Sequence, residues 1–227
     1  MRRLFPVVVL FFILFSSSTQ AQLFKGFGSL GLNLSQVDGD EVYGYKKAGF
    51  HAGLGVMMSP YKNWDVSLET NFTQKGARQR VQYPLDSLNG AYRLSLDYLE
   101  VPVLVYYTDK DFVTVGTGFS WGRLVRAEEW EHEKKTATTA QNGVYSTNDF
   151  DVLIDLKMKM SRKFSFNFRY SYSMAKIRTR GFIRLDGSSN VRQQYNNMLT
   201  FRLVYFFNKD EAQRVKDEDK MKKATGN

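Results

Sequence analysis

The sequence predicts an all-β protein, an eight-stranded antiparallel up-and-down transmembrane β-barrel. Three observations lead there. Beyond the N-terminal segment, apolar and polar residues alternate with period two through eight segments, and no helical period occurs before the tail. The connections alternate in length, three short and four long. One face of each segment is apolar and almost free of charge, as lipid demands, while the other carries Gly, Ser, Thr, Asn and ions.

The chain opens with Arg2 and Arg3, an apolar run from Leu4 to Phe15, and small residues from Ser16 to Ala21. This is the order of a secretory signal, and the run is too short to span a bilayer. The expected organisation is a signal peptide over 1–21, a barrel over 22–207 and a charged periplasmic tail over 208–227.

The first strand sets Leu30, Leu32 and Leu34 against Ser29, Gly31, Asn33 and Ser35. The second sets Phe50, Leu54 and Val56 against Gly49, His51 and Gly53, and the third sets Trp64, Val66, Leu68 and Phe72 against Asp65, Ser67 and Glu69. In the fourth, Tyr92, Leu94 and Leu96 are apolar at even numbers, but Leu99, Val101, Val103 and Val105 at odd ones. A β-bulge near Tyr98 would restore one apolar face, and Pro102 fits a local break in the ladder. The fifth carries Val113, Val115, Phe119 and Trp121, and the sixth Phe150, Val152, Ile154 and Leu156. The seventh carries Phe164, Phe166, Phe168, Tyr170 and Tyr172, and the eighth Leu199, Phe201, Leu203, Tyr205 and Phe207.

Short connections fall at 59–63, 108–111 and 161–163, and long ones at about 36–46, 76–91, 126–148 and 175–194. Tyr61, Trp64, Tyr106, Tyr107, Phe112, Phe164, Phe206 and Phe207 gather on the short-turn side, as in an interfacial girdle. A soluble lipocalin-like barrel alternates too, with its faces swapped. The small residues of the polar face and the uncharged apolar face favour the membrane.

Several stretches resemble the PorT-type outer-membrane β-barrel proteins of Bacteroidota. They are Gly31-Leu32-Asn33-Leu34-Ser35, Ala48-Gly49-Phe50-His51-Ala52-Gly53-Leu54, Tyr98-Leu99-Glu100-Val101-Pro102 and the closing Leu203-Val204-Tyr205-Phe206-Phe207. The resemblance covers about residues 24–207. It implies the barrel and an outer-membrane location, with periplasmic termini and extracellular long loops. The member that names the family is needed for type IX protein secretion, and nothing here matches that member in particular.

Eight strands leave an interior just wide enough for side chains. The expected inward acids are Asp65, Glu69, Asp97, Glu100, Asp151 and Asp155, and the expected bases are Lys75, Arg93, Lys157, Lys159, Arg169 and Arg202. Mixed signs in a low dielectric pair, so the expectation is a salt-bridged plug without an open pore.

The absence of Cys excludes disulfides, thiol nucleophiles and Cys-ligated metals, and the chain has only two His. No catalytic residue, metal site or cofactor is expected. An accessory role in type IX protein secretion is one alternative and a surface lipid-modifying enzyme another, for which His51, predicted inward near Ser67 and Glu69, is the candidate base. His132 lies in an acidic loop, where a weak divalent-cation site is the sharper reading and a solvated loop the plainer one.

The net charge is +9. Part of it sits in the fourth long connection, where Lys176, Arg178 and Arg180 share the parity of lipid-facing Tyr170 and Tyr172. These three are candidates for lipopolysaccharide phosphates. Asp86-Ser87-Leu88 resembles a short O-glycosylation acceptor. The expected partners are outer-membrane lipid, lipopolysaccharide and a periplasmic or extracellular protein; nucleic acid is not expected. The role expected from the sequence is structural, an interaction made through the long loops.

Overall fold

The computed structural model describes residues 24–61, 63–85, 88–109, 113–183 and 189–208. The signal segment, nearly all of the charged tail, Asp86-Ser87 and Phe112 lie outside the described residues. Ten strands follow one another: β1 (Phe24–Asp38), β2 (Lys47–Tyr61), β3 (Trp64–Gln79), β4 (Tyr92–Asp109), β5 (Val113–Glu131), β6 (Lys134–Lys135), β7 (Asn148–Lys159), β8 (Phe164–Ser173), β9 (Arg178–Ile183) and β10 (Ser189–Phe206).

Eight of them form the ring β1-β2-β3-β4-β5-β7-β8-β10, which β1 and β10 close by pairing antiparallel from Phe27↔Phe206 to Asp38↔Tyr195. β6 pairs only with the end of β5, and β9 only with the start of β10. The ring is thus the eight-stranded up-and-down barrel that the alternation predicts. The short connections share one end of the barrel with Phe24 and Phe206, here the turn end. The long connections and the two added hairpins make up the loop end. β4, β5 and β10 run to 18 or 19 residues. About 9–11 residues suffice to cross a bilayer at a tilt, so these strands rise well clear of the wall at the loop end.

The wall is turned as lipid requires. Leu54 is 65% exposed, Phe119 64% and Leu203 44%, while Glu69, Asp155 and Arg202 are no more than 1% exposed. Such a surface is costly in water and ordinary in hydrocarbon. Polar residues fill the middle, and two apolar clusters stop the ends. At the turn end Phe27, Met57, Leu104, Tyr106, Leu153, Val204 and Phe206 pack together. At the loop end, Val37, Val42, Leu94, Leu96, Tyr98, Leu124, Tyr145 and Ile177 form a second cap.

These caps correct three expectations. First, β4 does not change phase. Leu94, Leu96, Tyr98, Glu100, Leu104 and Tyr106 are all buried, one continuous inward row. A bulge does fall at Tyr98, but its extra residue is on β5: Asp97 pairs with Arg126 and Tyr98 with Leu124, which leaves Val125 over. β5 shifts, so Leu124 and Ala127 are both buried. Second, Arg93 therefore stands exposed on the outer wall, and Asp97, on the same face of β4, is buried there against Gln74 and Arg126 rather than in the lumen. The wall there lies beyond the apolar belt, so nothing requires Leu94 and Leu96 to face outward. Third, Tyr106 and Phe206 leave the girdle and fill the lumen, whereas Tyr61, Trp64, Tyr107, Phe164 and Phe207 are exposed. The pairing of β3 with β4 is interrupted opposite Pro102, as expected for a residue without an amide proton.

The turn-end cap depends on glycine. A Cβ on Gly116 would stand 2.2 Å from the Tyr106 ring, and one on Gly55 would stand 2.5 Å from the Phe27 ring. Gly116→Val is therefore expected to destabilise the folded barrel by about 1–3 kcal/mol, the range for overpacked cores. Gly181→Ala, with nothing within 4 Å, should leave stability unchanged. The urea midpoint of the folded band in unboiled electrophoresis reads both.

Candidate functional site

The lumen holds two layers of charge. In the layer nearer the turn end, Glu69 on β3 and Asp155 on β7 face Arg169 on β8 and Arg202 on β10. Arg169 donates through Nε to Asp155 at 2.6 Å and through its terminal nitrogens to Glu69 at 3.1 and 3.2 Å. Arg202 donates to Glu69 at 2.8 and 3.2 Å and to Asp155 at 3.1 Å. Its Nε is taken by Asn167. Tyr106 adds a hydroxyl to Asp155 at 2.9 Å, and Asn71 an amide to Glu69 at 3.0 Å. Two planar forks on two carboxylates satisfy the strong directional demands of buried charge. Lys157 sits below with its Nζ 3.4 Å from the Tyr106 ring centroid, a cation–π contact.

In the second layer, Lys75 meets Glu100 at 2.8 Å, Asp149 at 3.0 Å and Asp151 at 2.6 Å. Ser173 and Asn196 each donate to Asp149 at 2.7 Å. Glu69, Lys75, Glu100, Asp151, Asp155, Lys157, Arg169 and Arg202 thus lie inside, as the alternation predicts. Asp65 is half-buried at the turn end, bonded to Ser59 with Lys25 at 3.6 Å. Lys159 is exposed there. The sequence reading missed Asp149, although it shares the parity of Asp151.

His51 is buried, and its ring nitrogens lie 3.4 Å from the Thr73 hydroxyl and 3.5 Å from Arg202. Ser67 is not beside it: β2 pairs His51 with Thr73 and Met57 with Ser67. Glu69 is spent on two guanidiniums. His51 therefore sits as a lumen hydrogen-bonding group between the Thr73 hydroxyl and the Arg202 guanidinium.

A third polar centre lies at the loop end, above the apolar cap. Glu129 on β5 accepts from Thr138 at 2.7 Å, Arg178 at 2.8 Å, Tyr92 at 2.9 Å and Tyr145 at 3.3 Å. Burial opposes its ionisation, but the Thr138 hydroxyl and the Arg178 charge outweigh burial and hold the carboxyl below its usual range. Burial and the same carboxylate push the Tyr145 hydroxyl up to about 12. Arg180 meets Glu131 at 2.6 Å. These two arginines strap the β9–β10 hairpin to β5. They do not continue the lipid-facing row; of the three expected there, only Lys176 is exposed.

His132 and Glu133 make the tight turn between β5 and β6, both at positive φ. The His132 ring accepts from the Gly90 amide at 3.2 Å. No group of three or more metal-ligating side chains occurs among the described residues.

An inverted-polarity ring closed on itself, with ionic layers inside, is a membrane β-barrel. Residues 20–178, more than half of the chain, match the outer membrane protein beta-barrel domain family, and the chain belongs to it. It is a small outer-membrane barrel. Among solved structures it is similar to Ail of Yersinia pestis in complex with a heparin analogue, at 14% identity over 81% of this chain and 99% of that one, with a TM-score of 0.46. It is also similar to Neisserial surface protein A, at 11% identity over 82% and 98%, with a TM-score of 0.46. The protease OmpT of Escherichia coli matches at 9% identity over 82% and 94%, with a TM-score of 0.35. No curated protein matches in sequence.

Two outcomes follow from this geometry. Glu69→Ala strands two buried guanidiniums on Asp155 and should cost about 3–5 kcal/mol of barrel stability. A double-mutant cycle with Arg202, read by urea unfolding in vesicles, measures the coupling. In the loop after β1, Asp40 is buried; its Oδ1 accepts from the Val42 amide at 2.8 Å. Burial pushes its carboxyl from 3.8 up to about 7. The ordered loop therefore binds this proton more tightly than the open loop does. Its advantage is complete below pH 3.8 and is lost as pH rises through about 7. The protection factors of the Val37–Tyr45 amides, which divide out the intrinsic pH dependence of exchange, should fall across that window in the native protein and stay level in Asp40→Asn.

Proposed function

We propose that the protein is a closed scaffold whose loop end faces the cell exterior and recognises a macromolecular partner. The observation that carries this reading is the filled lumen. An apolar cap, two ionic layers and a second apolar cap, all of buried side chains, succeed one another along the axis. Function then belongs to the outer surface. The Glu129 centre and the strapped β9–β10 hairpin make the loop end a braced platform rather than a set of loose loops. Termini and short turns at the opposite end face the periplasm in this reading, the usual arrangement of such barrels. The setting of His51 against Arg202 supports a role without catalysis.

A second reading, resting on the resemblance of Tyr98-Leu99-Glu100-Val101-Pro102 and the aromatic closing strand to PorT-type barrels and on no residue particular to the secretion member, is an accessory role in type IX secretion. Co-purification from native membranes tests it: a stable complex with secretion components favours it, and recovery of the barrel alone argues against it.

In planar bilayers the purified protein should give no stepwise conductance; steady channel currents would overturn the closed-lumen reading. A photo-crosslinking residue at exposed Gln141 should give a discrete protein or glycan adduct in cells, and one at lipid-facing Phe119 should give lipid only. Identical products from the two positions would remove the case for a recognition platform.

A further inference from the structure

The outer wall at the loop end carries three arginines in an unusual setting. Arg78 on β3 pairs directly across the ladder with Arg93 on β4, and Arg93 pairs with Trp130 on β5. Arg80 follows two residues on, on the same face. All three arginines are exposed. Like charges directly opposite in a sheet repel. Three other arginines of this surface have an acid at hand: Arg126 holds Glu128 at 2.9 Å, Arg180 holds Glu131 at 2.6 Å, and Arg192 holds Glu41 at 3.3 Å, whereas Arg123, lower on β5 beside Leu99, makes no ion pair among the described residues. Among the described residues, Arg78, Arg80 and Arg93 make no ion pair. Between them lies a cleft of about 480 Å³ lined also by Val81, Ala91 and Trp130. One acid, Glu133, stands on its rim and is engaged by the Asn89 amide at 3.0 Å. The cleft is thus cationic by three charges to one and lined on one side by the Trp130 indole, with Lys135 Nζ 5.8 Å from the ring centroid.

Height separates the candidate anions. The outer face of β4 is apolar up to Leu99, which is 47% exposed, and Arg93 stands six residues further. At a rise of ~3.3 Å per residue this is ~20 Å along the strand, or ~15 Å along the membrane normal at a tilt of about 40°. A phosphate at the hydrocarbon edge would lie below the cleft. Sugars built outward from a lipid anchor would reach it.

We propose that this cleft binds a phosphorylated saccharide, the inner sugar region of an outer-leaflet glycolipid. Arg78 and Arg93 present guanidinium forks to one phosphate, which lifts their mutual repulsion, and the Trp130 face takes a sugar ring. The proposal rests on the outward orientation of the loop end, but its test does not.

The protein is refolded in neutral detergent with Trp64→Phe and Trp121→Phe, which leaves Trp130 as the sole reporter. The probes are a deacylated, phosphorylated core oligosaccharide from rough lipopolysaccharide, the same oligosaccharide dephosphorylated, inorganic phosphate, and heparin as an unrelated polyanion. The phosphorylated oligosaccharide should shift Trp130 fluorescence saturably, and removal of its phosphates should weaken binding about tenfold or more. Arg78→Ser with Arg93→Ser should lose a similar factor while keeping, or slightly raising, the urea midpoint, because repulsion is relieved. Arg78→Lys with Arg93→Lys keeps the charge without the fork and should fall between. Equal response to the dephosphorylated probe, an unchanged double-serine variant, or heparin and inorganic phosphate matching the oligosaccharide would each overturn the proposal. These failures leave the closed-scaffold reading standing, since that is decided by conductance and crosslinking.

Discussion

A ring of eight strands encloses too little space for bulk water, so each inward side chain must pack or pair where it stands. Glu69 and Asp155 between Arg169 and Arg202 are the consequence. Each carboxylate lacks solvent and has two guanidiniums; each guanidinium has two carboxylates. β3 meets the later strands β7, β8 and β10 at this point, with Arg202 and Glu69 separated by 133 positions. Closure of the ring and neutrality of its centre are thus one condition. A sheet left open would expose these charges to water and lose the reason for their pairing. Arginine suits the place better than lysine because its planar fork serves two acids at once. The one lysine in that layer, Lys157, turns to the Tyr106 ring instead.

The same condition explains what could be read in the sequence. The belt shows itself because one face must be apolar and the other small or polar, so Leu30, Leu54 and Leu203 declare the outside and Asn167, Arg169 and Arg202 the inside. Above and below the belt this rule lapses. Leu94, Leu96 and Tyr106 are apolar and inward, since a cap needs grease where the barrel meets water. Arg93 is charged and outward, since the wall there is wet, and Asp97 on the same face is covered by Gln74 and Arg126. In β4 both faces are apolar somewhere along the strand, so alternation alone cannot choose between a phase change and a single inward row. The bulge that settles the matter sits at Val125, on the neighbouring strand, and leaves no mark in the β4 sequence.

Loop-end chemistry was less legible still. The basic run Lys176, Arg178, Arg180 looks like a free patch when taken alone. In space, Arg178 and Arg180 belong to Glu129 and Glu131, 49 residues earlier in the chain. Only the hairpin formed by β9 and β10, which no local pattern foretells, brings them together. Conversely, Arg78 and Arg93 lie in different segments with no shared motif. They become a cluster because strand register sets them side by side.

Location of function follows from where charge stands exposed without a counter-ion. Inside, Arg169, Arg202 and Lys75 are each held by carboxylates, and such a buried ion pair holds its neighbours rigidly. At the loop end the Glu129 centre consumes two arginines, two tyrosine hydroxyls and a threonine on top of the apolar cap. It therefore fixes the height and tilt of β5, β9 and β10 relative to the wall. Cationic charge without a protein partner is then left on the outer side of β3 and β4, beside an indole that the same β5 extension carries. The stiff interior is what makes that surface usable: a like-charged pair on a flexible loop would swing apart, whereas across a closed sheet it stays in place until an anion arrives.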